Sequence, residues 1–238
     1  MPAASVQRVI KGGVTASMSI GSGDGWATPT AGNLLVVVAN ADNVVSAPSG
    51  SGTWSTGPSV VDNNAGYAWY KFATGTETTI ICAPGASADI VLVALEYSGI
   101  TAFDVQNSST ISGTPGTLAT SNASVTTTQA NGLVVAAACL GGANAAIATG
   151  PAWTGGLTNV LTGNSQSPAT NLPVLMTTFV GELLDAGATG VHSQAASWTN
   201  GYTNAQELVL AFKATSAATG PVARQLVVGQ AVNRSFTY

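Results

Sequence analysis

Two short phrases constrain this chain more than anything else in it. Gly32-Asn33-Leu34-Leu35-Val36-Val37-Val38-Ala39-Asn40 carries six apolar residues in a row between turn formers. Such a run, mostly β-branched or Leu, predicts a strand buried on both faces. The phrase returns as Asn131-Gly132-Leu133-Val134-Val135-Ala136-Ala137-Ala138. Leu34 and Leu133 stand 99 positions apart, as do Trp54 and Trp153. The echo predicts a two-part β architecture.

The segments between these phrases read the same way. Val14 to Ile20 alternates apolar and small polar residues, the pattern of a half-buried strand. Tyr67-Ala68-Trp69-Tyr70-Lys71-Phe72 has strong β propensity, and Asp89 to Tyr97 is apolar on both faces until Glu96. Thr78 to Cys82, Leu172 to Val180, Val191 to Trp198 and Gln206 to Lys213 complete a set of about ten strands, with Gly, Pro and Asn turns between them. Residues 101–128, rich in Ser, Thr, Gly and Asn, read as a connection crossing the sandwich or as exposed loops. Nothing has convincing helical periodicity; Gly181 to Ala186 supports one turn at most. The expected fold is all-β, an antiparallel jelly-roll-like β-sandwich with two pseudo-repeated halves and a C-terminal extension. Residues 1–13 read as an N-terminal arm, 14–214 as the sandwich, and 215–238 as a linker and docking strand. One sandwich is preferred over two small domains, because each half offers few complete strands with which to close its own core.

Charge narrows the setting. Charged residues make up 7% of the 238, against roughly 25% in an ordinary soluble domain. Solubility therefore rests on Ser, Thr, Asn and Gln, as suits a chain displayed in an array whose neighbours cover much of its surface. There is no Lys or Arg from 72 to 212, and the net charge is −4. That balance argues against nucleic-acid binding, which needs a basic footprint. The start lacks the apolar core of a secretory signal, and no run approaches the ~18 apolar residues of a membrane span. Cys82 and Cys139 both sit in apolar strand-like runs and read as buried free thiols.

Catalytic signatures are missing from the pattern. The single histidine, His192, sits on an alternating strand without a Gly-x-Ser-x-Gly elbow. The ten acids are scattered, with no close pair suited to acid–base work. The expectation is no catalytic residue, no cofactor and no metal; Asp42-Asn43 and Asp62-Asn63-Asn64 are conceivable loop calcium sites but lack EF-hand spacing. Candidate binding residues fall into two groups. Arg224, Arg234, Phe236 and Tyr238, beyond the small-residue linker, are candidates for docking on a partner. Trp54, Trp153 and Tyr202, beside turns, are candidates for stacking on a glycan, against the alternative that such rings plug the ends of the core.

Several of these phrases together resemble surface β-sandwich proteins of tailed bacteriophages, especially those of actinobacterial hosts. They are Gly32 to Val38, Trp54 after a Pro/Gly turn, Tyr67 to Lys71, Ile90 to Gly99 and Glu207 to Lys213. The likeness covers roughly residues 14 to 214 and is a pattern of strands. It implies a non-enzymatic minor tail or capsid-decoration protein, assembled into a virion in the host cytoplasm and exposed on the particle. Implied partners are other virion proteins and further copies of the chain, a trimer being one arrangement, with a host-surface glycan as the alternative.

Overall fold

The computed structural model describes residues 2–50, 52–61, 65–112, 119–120, 123–141, 149–165, 176–194, 196–199 and 204–215. The first half holds β1 (Ala4–Thr15), β2 (Met18–Gly21), β3 (Leu34–Ala41), β4 (Ser55–Val61), β5 (Ala65–Phe72), β6 (Thr79–Cys82) and β7 (Ala88–Ser98). A single glycine, Gly99, leads into β8 (Ile100–Ser112). There follow β9 (Ala119–Thr120), β10 (Ala123–Thr127), β11 (Leu133–Gly141), β12 (Thr149–Trp153) and β13 (Thr158–Asn164). The chain then forms β14 (Met176–Leu183), β15 (Gly190–Gln194), β16 (Ala196–Thr199) and β17 (Asn204–Ala214). Among the described residues the sole helical element is a 3-10 turn at Ser22–Asp24.

Two five-stranded sheets dominate, ordered β1-β7-β3-β5-β4 and β13-β14-β11-β17-β8, and every pairing within them is antiparallel. The two apolar phrases form β3 and β11, the middle strand of each sheet, and every residue of both strands is buried. Their alternate side chains face opposite ways. Leu34, Val36 and Val38 meet Leu133, Val135, Ala137, Leu208, Leu210 and Phe212 in a core between the sheets. On the far side of the first sheet, Leu35, Val37 and Ala39 pack under Met18 and Ile20 of β2, Ile80 and Cys82 of β6, and the rings of Trp26 and Trp54. On the far side of the second, Val134 and Ala136 pack with Ala123 and Val125 of β10, and Ala138 and Leu140 pack with Ala196 of β16. Both large sheets are thus covered on both faces, the condition that a continuous apolar run demands.

Two expectations change. Most of 101–128 is strand: β8 runs for 13 residues along β17, with Phe103 stacked on Tyr70 across the sheets at 4.8 Å. Its Ser and Thr residues suit an edge strand, where one face needs no apolar side chains. The stretch read as an N-terminal arm lies along β7, with Ala4 opposite Ser98 and Thr15 opposite Ala88. The strands also outnumber the ten expected, because β4, β10 and β13, rich in Ser, Thr, Gly and Asn, lack apolar runs of their own.

Cys82 and Cys139 are free and buried in different cores, Cys82 outside the first sheet and Cys139 between the sheets. Burial pushes both thiols up to about 12. A thiol-specific reagent at pH 8 is expected to leave both unmodified in the folded chain and to label both in denaturant. Rapid labelling without denaturant would contradict this packing.

Candidate functional site

The sequence-predicted residues divide by location. Trp54 is buried under the first sheet's outer layer, with the Lys71 ammonium 5.6 Å from its ring centroid, so it offers no open face to a sugar. Trp153 is half-buried; its indole donates to Asn159 Oδ1 at 3.2 Å and lies flat against Gly181, where a Cβ would come within 2.9 Å of the ring. Tyr202, Arg224, Arg234, Phe236 and Tyr238 lie outside the described residues, as does Asp62-Asn63-Asn64. His192 sits half-buried on β15 beside the Thr127 hydroxyl at 3.1 Å. Glu96 faces the first sheet's outer side, and Asp89 lies at the opposite end of β7, bonded by the Ser165 hydroxyl at 2.7 Å. The structure does not bring these three together.

What it does bring together is a set that the sequence did not announce. The edge strands β1 and β13 face each other across the sandwich. They touch where two glycines permit it: a Cβ on Gly12 would collide with the Asn164 carbonyl, and one on Gly163 would lie 2.6 Å from Ile10 Cδ1. Toward the Gly99 end the edges part around a polar cluster. Arg8 of β1 reaches across to Glu182 of β14, pairing one terminal guanidinium nitrogen with Oε1 and donating from Nε to Oε2 at 3.2 Å. The Tyr97 hydroxyl of β7 donates to the same Oε2 at 2.9 Å. Glu182 is 4% exposed and Arg8 32%. Beside them opens a pocket of 420 Å³ lined by Arg8, Gly156, Thr158, Val160, Glu182, Leu183 and Leu184. Its volume falls at the lower end of the range for ligand pockets.

The polar groups of this corner are matched to one another as donors and acceptor. Burial, then the adjacent Glu182 carboxylate, hold the Tyr97 hydroxyl well above its usual acidity range, so it stays a donor. Both Glu182 oxygens are engaged by donors, and the guanidinium keeps further N–H groups beyond the two used. Among the described residues of the cluster, no hydroxyl or thiol nucleophile stands beside a free base. Among the described residues no group of three His, Cys, Asp or Glu is placed to hold a metal.

The other buried acids anchor loops. Glu96 accepts from Thr30 N at 2.9 Å, Asn33 Nδ2 at 2.6 Å and Gln7 Nε2 at 2.5 Å, fixing the approach to β3 and clamping β1. Glu77 is fully buried; burial opposes its ionisation, yet Lys71 at 2.7 Å and the amide and hydroxyl of Thr74 outweigh that and lower its pKa to about 2. The course of the chain adds a second feature at the corner. Ala4 pairs with Ser98, and beyond β17 the Thr215 amide donates to Gly99 O at 2.7 Å. Both ends of the described fold therefore meet at the Ser98–Gly99–Ile100 link, the end of the sandwich at which the corner pocket opens.

Comparison with protein families, curated proteins and solved structures finds no match.

Two outcomes are expected. Arg8→Ala leaves the buried Glu182 carboxylate with the Tyr97 hydroxyl alone and should cost about 2 kcal/mol in urea unfolding, whereas Arg8→Ala with Glu182→Leu recovers much of that loss. Glu77 has a folded pKa below its unfolded value, so its contribution is present above about pH 4.5 and is lost as pH falls through 2. Its share is on the order of 3 kcal/mol, and acid unfolding of Glu77→Gln should show a correspondingly flatter pH dependence over that window.

Proposed function

We propose that this protein is a non-enzymatic virion structural subunit of the minor tail or capsid-decoration type, which docks on neighbouring subunits through its terminal segments. The observation that carries the reading is the meeting of β1 and the end of β17 at the Ser98–Gly99–Ile100 link. Segments that leave a rigid body from one end can grip a neighbour there while the opposite end stays free. The scarcity of charge supports the same reading, since a surface with 7% charged residues suits an array better than a free subunit. So does the corner cluster, whose guanidinium, hydroxyl and carboxylate are hydrogen-bonded to one another.

The body that bears these segments comprises two pseudo-repeated halves, each wound as a jelly-roll-like unit. Support comes from strand order. β1-β7-β3-β5-β4 and β8-β17-β11-β14-β13 run in the same sequence, and β2–β6 and β10–β15 form the second layer of each half. The register agrees too. β1 slips between Ser5 and Gln7 opposite Tyr97 and Glu96, and β8 slips opposite Phe212 and Ala211. The two halves then associate as a dimer would, through their large sheets, within one chain. Duplication leaves the first half no open sheet face with which to seek a second copy, so contacts between subunits fall to edges, loops and terminal segments.

Truncation after Thr215 tests the docking role. The sandwich should melt at an unchanged temperature, while incorporation into particles, measured by immunoblot of purified virions from a complementation assay, should fall at least several-fold. Normal incorporation of the truncated chain would exclude the role.

A further inference from the structure

The two corners of the sandwich are built differently. Leu34 is flanked by Tyr97 and Leu133 by Phe212; Val36 is flanked by Tyr70 and Val135 by Glu182. Tyr97 and Glu182 at the β1–β13 corner thus correspond to Phe212 and Tyr70 at the β4–β8 corner. There rings fill the space: Phe103 stacks on Tyr70 at 4.8 Å, and Phe212 meets both edge-on at 5.4 and 5.8 Å. At the β1–β13 corner a carboxylate takes the place of a ring, the Arg8 side chain that holds it is 32% exposed, and the 420 Å³ pocket opens beside them. Donors within reach of solvent therefore stand where the other corner is closed by apolar packing.

We propose that this pocket binds an N-acetylated amino sugar and that the acetamido group is the part it recognises. The polar balance of the corner selects a neutral ligand. Glu182 accepts from Arg8 and Tyr97, so the guanidinium is already charge-matched, and its remaining N–H groups suit a carbonyl oxygen. An anionic ligand would stand beside the Glu182 carboxylate and be repelled by it. Val160, Leu183 and Leu184 add an aliphatic wall that matches a methyl group. An acetamido group carries both features on one carbon, a carbonyl oxygen and a methyl. The shape of the site favours a compact ring over an extended peptide. β1 and β13 touch at Gly12 and Asn164 and at Ile10 and Gly163, which ends the parted space a few residues beyond Arg8. A strand-like peptide needs an edge that runs on, whereas a single sugar ring fits a bounded pocket of this volume. The exposed Thr158 at the rim offers a hydroxyl, both donor and acceptor, to the hydroxyls of the ring. The inference goes beyond the assembly reading and does not depend on it.

Saturation-transfer NMR on the full-length isolated protein tests it, with N-acetylglucosamine as the probe. Saturable binding is expected with a Kd on the order of 1 mM, and transfer should be strongest to the acetyl methyl. Glucose, with a hydroxyl in place of the acetamido group, should bind about tenfold more weakly or worse. Thr158→Trp crowds the rim from an exposed position, and Arg8→Lys keeps a cation beside Glu182 but loses the planar fork of donors. Each should weaken binding about tenfold or more, and a melting curve identifies the variants that fold. No binding of N-acetylglucosamine at tens of millimolar, equal binding of glucose, or undiminished binding in either folded variant overturns the proposal. Tighter binding of N-acetylalanine methylamide than of the sugar also overturns it, since the pocket would then be a peptide seat.

Discussion

Everything else in the structure depends on β3 and β11 being apolar on both faces. A strand of that kind is stable only with material on either side, and packing the two large sheets together satisfies one side of each at once. The other sides still need cover. Short strands such as β2 and β6 or β10 and β15, with rings from the loops, supply it. The resulting order of outer layer, sheet, sheet and outer layer is the consequence of two strands that cannot face water.

Polar groups inside this arrangement fix how the layers sit. Asn40, fully buried in β3, donates to the Leu140 carbonyl at 3.1 Å and the Thr177 carbonyl at 3.0 Å on the facing sheet. Arg8, Tyr97 and Glu182 tie the sheets at the other end of the strands. Apolar packing tolerates sliding, whereas hydrogen bonds of fixed geometry do not. With one tie near each end, the sheets hold a single alignment, and the parted edge beside Arg8 persists as a pocket.

How much is legible in the sequence varies with the kind of residue. Leu34 to Ala41 and Leu133 to Gly141 announce buried strands, because continuous apolar runs leave few alternatives. β8 escapes such a reading because local polarity does not separate an edge strand from a loop: Asn107, Ser108, Ser109 and Thr110 suit either. Trp54 and Trp153 lie beside turns, as their neighbours in sequence indicate, but which ring faces are covered depends on Lys71 and Gly181, contributed by other strands. The Arg8–Glu182 pair joins positions 174 apart, and neither residue has a neighbour in sequence that marks it.

The sequence by itself determined the class of fold, its two central strands and the lack of a charged surface, since these follow from local composition and from a period that any strand must obey. Tertiary structure alone decided that the two sheets share one core, that one corner closes with aromatic rings while the other keeps an ion pair and a pocket, and that both ends of the described fold converge on Gly99. Those features arise from contacts between residues far apart in the chain, where register and layer packing, not local propensity, choose the partners.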